Sequence, residues 1–171
     1  MAQNPIFRLA TKEEVPTVME IIQIAKETIA HPDWYLAVPE EFVRRCVAEQ
    51  GFIVGAYIDE EMAGFLLIHY PEETPENLGN DLGWPDEKKA RVAHMDTVCV
   101  LPAYRGLGLH RQLLAWAEEH LQAMPYCYYL TTVHPDNSYS LRNFQKSGYQ
   151  IVATKPKYGG LPRHILCKEK E

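Results

Sequence analysis

The sequence predicts a mixed α/β fold, on three observations: an apolar, β-rich pair of segments in mid-chain, helix and strand patterns that alternate through the second half, and no linker, repeat or low-complexity tract to divide the chain. Its 171 residues, 46% hydrophobic and 23% charged, suit one domain over residues 1–171 and leave little room for two. A domain of this size buries roughly 70% of the surface its unfolded chain exposes, so neither metal nor disulfide is needed for folding.

Ile6–Ala10 reads as a short strand, and Thr11 with Glu14 has the spacing of a capping box. Val15, Val18, Ile22, Ala25 and Ile29 then form one buried helical stripe, stopped by Pro32. Pro39 opens a second helix to about Glu49, with Phe42, Val43 and Cys46 inward. Gly51–Ile58 and Ala63–Tyr70, separated by a polar tip, make an antiparallel hairpin. Residues 71–87 break pattern, with six acids (Glu72, Glu73, Glu76, Asp81, Asp86, Glu87) and no Lys or Arg. Such a length is a solvated loop or a wall over an amine site. Arg91–Val100 is the next strand, Leu101–Leu107 a loop, and about Gly108–Ala123 a helix with Leu109, Leu113, Trp116, Ala117 and Leu121 as its stripe. Tyr126–Val133 is β-rich, residues 134–137 turn, Ser138–Ser147 is a short helix ended by Gly148, and Tyr149–Ala153 and His164–Lys168 close the chain as strands.

Composition excludes several classes. Seventeen Lys+Arg against 23 Asp+Glu give a net charge of -6, the opposite of a nucleic-acid footprint. Cys46, Cys99, Cys127 and Cys167 are far apart and show no zinc-ligand spacing, which is consistent with free thiols in a reducing cytoplasm and with no metal. No apolar stretch approaches the roughly 20 residues that span a bilayer, and charges at Arg8, Lys12, Glu13 and Glu14 interrupt any signal-peptide core. The expectation is a cytoplasmic protein off the membrane.

The most informative stretch is Val98-Cys99-Val100-Leu101-Pro102-Ala103-Tyr104-Arg105-Gly106-Leu107-Gly108-Leu109-His110-Arg111. Strand, glycine turn and helix start in that order aim unpaired backbone N–H groups at one point, which attracts an anion. Arg105, with Arg111 or a protonated His110, would add positive charge. A Walker loop needs a Lys that does not follow Gly108, and a Rossmann fingerprint needs a glycine where Arg111 stands.

This run resembles the coenzyme A motif of the GNAT superfamily of N-acetyltransferases, and Asn137, Ser140, Phe144, Lys146, Gly148 and Tyr149 resemble that family's second conserved segment. The resemblance implies a mixed central sheet of about six to seven strands flanked by about four helices, with acetyl-CoA as cofactor. It implies a pyrophosphate cradle of Arg105, Gly106, Leu107, Gly108, Leu109 and His110, with Arg111 beside it. The pantetheine edge would be Val98, Cys99 and Val100, with Asn137 and Phe144 further along. Many members carry at position 144 a tyrosine that protonates the leaving thiolate. Phenylalanine has no such proton, and Tyr139 or Tyr158 is a possible substitute. A CoA thiol, with a pKa of about 8.5, is a tolerable leaving group without one.

An amine with pKa of about 10.4 must lose a proton before it attacks. His94 and Asp96, two apart on the strand feeding the turn, share one face with Val98 and Val100 unless a bulge intervenes. His94 is the expected base, with Asp96 holding it or pairing with the substrate ammonium. Some family members have two histidines at this spacing. Thr131 and Thr132 occupy the other frequent base position and cannot serve. The expected partner is an amine-bearing substrate, drawn in by the acidic loop, with a homodimer left open. The rival reading is a catalytically silent acyl-CoA-binding sensor.

Overall fold

The computed structural model describes residues 4–171. Among these residues seven strands form one sheet in the order β1-β2-β3-β4-β5-β7-β6. They are β1 Ile6–Leu9, β2 Gly51–Ile58, β3 Glu61–His69, β4 Val92–Val100, β5 Tyr128–Val133, β6 Gln150–Lys157 and β7 Leu161–Glu169. Neighbours are antiparallel except β4 and β5. A parallel pair needs a crossover, which the helix Leu109–Leu121 supplies.

Among the described residues five α-helices accompany the sheet: α1 Val15–Thr28, α2 Glu40–Arg45, α3 Asp86–Lys89, α4 Leu109–Leu121 and α5 Ser138–Lys146. The one beyond the expected four is α3, a single turn in the acidic segment. α1 and α2 cover one face, where Val15, Val18, Ile22, Val43 and Cys46 pack on Ile53, Phe65 and Leu67. α4 and α5 cover the other, where Leu109, Leu113, Leu114, Ala117 and Phe144 pack on Val54, Leu66, Ile68 and Met95. β2 and β3 lie under helices on both faces, which is why both read as continuous apolar runs.

The expected capping box forms, with the Thr11 amide donating to Glu14 Oε1 at 3.0 Å. Several boundaries moved. α1 buries Ile21 and leaves Ala25 half-buried, and α2 gives way at Cys46–Gln50 to a π turn. In α4 the stripe is rotated: Leu114 is buried and Trp116 only half so. β6 runs past the expected stop at Ala153 and through Pro156, because it is the sheet's edge and a missing N–H costs an edge strand nothing.

One irregularity shapes the site. Leu67 pairs with Thr97 and Ile68 with Met95, so Asp96 is an extra residue, a β-bulge. The bulge corrects the expectation of a shared face. Met95, Val98 and Val100 turn toward α4, whereas Cys99 joins the core under α1 and α2. His94 is on that second side too, 5.9 Å from the His69 ring that meets Phe42 of α2.

Candidate active site

A bulge bends its strand, and β4 leaves β5 immediately before it. The two pair only from Val92↔Tyr128 to His94↔Leu130, then diverge. Thr131 Oγ1 donates to the Met95 carbonyl at 2.9 Å across the point of divergence. Beyond it a cleft of 1510 Å³ opens, lined by Asp96–Val100 of β4, Thr131–Val133 of β5 and the starts of α4 and α5.

At one end lies the glycine turn. Gly106 and Gly108 have φ of 84° and 74°, the left-handed region that glycine tolerates. The amides of residues 106–109 donate to no other protein group among the described residues. Together with the N–H groups of the first α4 turn they are donors left without an intrahelical partner, as at the start of any helix. Arg105 and Arg111 are exposed and make no ion pair among the described residues. Leu109 is buried in the core, so only its backbone is available.

His110 corrects the sequence reading. Its imidazole points inward, edge-on to Phe144 at 5.0 Å, and burial pushes its pKa down to about 4, so it adds no positive charge. Both ring nitrogens are buried without a partner among the described residues, yet the residue lines the cleft. Asn137 caps α5 through Oδ1, which accepts from the Ser140 amide at 3.4 Å. Tyr139 is 53% exposed and also lines the cleft.

His94 and Asp96 are brought together, with a third residue that sequence reasoning missed. One atom each of His69, His94 and Asp96 lies within 4.8 Å of the other two. His69 ends β3 and pairs with His94 across the sheet. His94 does not suit the role of base: its Nε2 accepts the Leu78 amide at 3.1 Å, and burial, followed by the neighbouring His69, pushes its pKa down to about 3. Asp96 is the exposed residue of β4, open to the cleft but enclosed by protein on its other sides. That enclosure pushes its carboxyl up to about 6, against the opposing hydrogen bond from Thr97 Oγ1 at 3.0 Å. The pair therefore divides into a neutral imidazole and a carboxylate that takes up protons near neutrality.

Residues 71–87 form a wall of this cleft. Asn77 is completely buried: its Nδ2 donates to the carbonyls of Glu72 and Lys89 at 2.9 and 3.0 Å, and its Oδ1 accepts from the Gly79 amide at 2.8 Å. Leu78 packs on Val92, Leu130 and Ile165. The acids are not massed at the opening: Asp81 is held by Lys157 at 2.8 Å and Lys155 at 3.8 Å, and Glu72 accepts from Tyr126. Asn77→Ala strips three backbone groups of their partner. It is expected to destabilise the fold by about 2–5 kcal/mol in urea unfolding.

Residues 16–149 match the acetyltransferase (GNAT) family. The chain belongs to the GNAT acetyltransferase family. The GNAT fold recurs in yncA of Salmonella typhimurium, solved with its cofactor acetyl-CoA, at TM-score 0.75 and 17% identity over 98% of this chain and 95% of that one. An N-acetyltransferase from Staphylococcus aureus Mu50 gives TM-score 0.75 and 17% identity over 98% and 99%. The ribosomal-protein-S18-alanine N-acetyltransferase from Escherichia coli gives TM-score 0.71 and 15% identity over 98% and 95%. No curated protein matches the sequence.

Acetyl-CoA is the co-substrate of this GNAT chain, and the residues present fit it. Unspent amides and two left-handed glycines suit a pyrophosphate, the diverging edge of β4 at Val98, Cys99 and Val100 suits an amide-bearing arm, and the orphaned His110 nitrogens suit a polar ligand in the cleft.

Proposed function

We propose that this chain, acting as one cytoplasmic domain, moves the acetyl group of acetyl-CoA to the nitrogen of an amine acceptor by direct attack, with both substrates bound together. The observation that carries this reading is Asp96: a carboxylate on a bulge at the mouth of the β4–β5 divergence, raised to about 6 by enclosure. Such a group is largely ionised at pH 7 and basic enough to receive the ammonium proton. His94, neutral and held by the Leu78 amide, orients this corner of the site.

Acetyl-CoA, when bound, supplies a thioester carbonyl open to attack. Arg105, the amides of residues 106–110 and Arg111 would hold its diphosphate, and the free edge of Val98, Cys99 and Val100 its pantetheine arm. Direct transfer is supported by the thiols nearest the cleft. Burial keeps Cys99 up at about 11 and Cys46 at about 12, so neither forms the thiolate that a covalent acyl carrier requires. Tyr139, on the cleft wall, is the proposed proton source for the departing thiolate, since Phe144 is buried and has none to give.

Thermal shift followed by turnover tests the reading. Acetyl-CoA is expected to raise Tm, and an amine panel is expected to contain acceptors that release thiol from it. A rise in Tm with no amine-dependent release from any acceptor would instead favour the acyl-CoA-binding sensor that Phe144 suggests.

A further inference from the structure

Arg163, on β7, is 2% exposed and yet lines the cleft on the face covered by α1 and α2. Its guanidinium has five N–H donors, of which two are spent on backbone carbonyls. Nη1 donates to Pro162 at 2.8 Å and Nη2 to Asp33 at 2.7 Å. No carboxylate pairs with it among the described residues. Asp33 offers its backbone oxygen, and its carboxylate, on an exposed residue, acts on the guanidinium only from beyond ion-pair distance. The neighbouring cation of the same hairpin differs, because Lys157, which also lines the cleft, is paired with Asp81 at 2.8 Å. A buried cation without a counter-ion is costly, and a site that retains one gains when an anion arrives.

The residues around it are built to the same end. Tyr158 has φ of 50° and Gly159 of 81°, and the Gly160 amide donates to the Lys157 carbonyl at 3.0 Å, which makes a tight primed turn between β6 and β7. Tyrosine rarely takes the left-handed conformation that this turn requires, and in it the ring lies 5.7 Å from Arg163 Cζ. Its hydroxyl reaches Thr132 Oγ1 at 3.1 Å. Two hydroxyls and a guanidinium without an ion pair among the described residues thus converge on the cleft wall on the side of the sheet that carries His94.

We infer that this wall is a carboxylate subsite, and that the acceptor is an amino acid or a similar amine bearing a carboxylate, whose anionic end pairs with Arg163 while its nitrogen faces the reacting centre. The inference rests on the acetyl-transfer reading above and names the class of its acceptor.

The test compares phenylalanine, leucine, methionine, glutamate and lysine, each with its carboxamide and its decarboxylated amine, by thiol release from acetyl-CoA. At least one acid is expected to exceed its uncharged counterparts in kcat/KM by tenfold or more. Arg163→Met is expected to bring that ratio close to one, and Arg163→Lys to retain part of it, with the acetyl-CoA-induced rise in Tm showing that each variant is folded. Carboxamides and plain amines used as well as the acids would overturn the subsite and leave acetyl transfer standing. Should Arg163→Met fail to fold, the acid-to-amide ratio of the natural protein decides alone. If no amine is acetylated, the transfer reading falls and the subsite is decided by binding. N-acetyl amino acids that raise Tm in the presence of CoA, for the natural protein and not for Arg163→Met, uphold it, and no shift overturns it.

Discussion

Asp96→Asn is expected to lower amine-dependent turnover at neutral pH by a factor on the order of 10² to 10⁴, the range for loss of a positioned base. Asparagine keeps the shape and still accepts from Thr97 Oγ1, so acetyl-CoA binding is expected to persist. The pH profile separates a base from a packing residue. In the natural protein the rate should fall as pH drops through about 6, where the Asp96 carboxyl becomes protonated. In the variant that limb should vanish, and part of the rate should return at high pH, where the acceptor is deprotonated by solvent. A constant ratio of the two rates from pH 5 to pH 10 would remove Asp96 as the proton acceptor.

Stability should move the opposite way. The folded carboxyl has a higher pKa than the ordinary 3.8 it regains on unfolding, so the native state holds its proton more tightly. The stability Asp96 contributes is therefore present at low pH and is lost as pH rises through about 6. Asp96→Asn should have the higher Tm at pH 8, with the difference shrinking toward pH 5. The neutral buried histidines, His94 and His110, have lowered pKa values and act in the other direction, losing stability as pH falls below about 6.5. They are common to both proteins, so their effect cancels in the comparison.

The double variant Arg105→Ala, Gly108→Trp is expected to weaken acetyl-CoA by about 2–4 kcal/mol, roughly 30- to 1000-fold in Kd. The first change removes charge-assisted hydrogen bonds to a phosphate. The second places a large side chain where the backbone must approach the ligand, on a residue with φ of 74°. Only the Gln112 side chain, at 3.5 Å, stands near the position of an added Cβ, so the cost to the fold is the left-handed strain of about 1–2 kcal/mol. Calorimetric titration with acetyl-CoA reads the loss, and circular dichroism confirms that the helices remain. Unchanged affinity would mean that the diphosphate is held elsewhere.

Much of this was legible along the chain because it rests on local geometry. A glycine turn between a strand and a helix start leaves amides unpaired whatever surrounds it, so residues 105–111 could be singled out without knowing the fold. The stripe of α1 and the hairpin of β2 and β3 follow from periodicity in the same way. His69, Asn77, Leu78 and Arg163 carried no such signal. His69 is a strand end until pairing sets it beside His94, and Asn77 sits in a segment whose acids and prolines suggested solvent. Arg163 closes a hairpin that reads as a loop, and its want of a counter-ion exists only in three dimensions.

The order of elements, the unpaired amides of the glycine turn and the presence of two titratable residues on β4 were settled by the amino-acid sequence, because each depends on neighbours a few positions away. Which of those two residues has the surroundings to take a proton depends on the tertiary structure. A bulge at Asp96 turns one side chain to the cleft, and an amide from a loop 16 residues earlier occupies the free nitrogen of the other. Proton affinity depends on what surrounds a group in space, and strands and loops distant in sequence supply those surroundings.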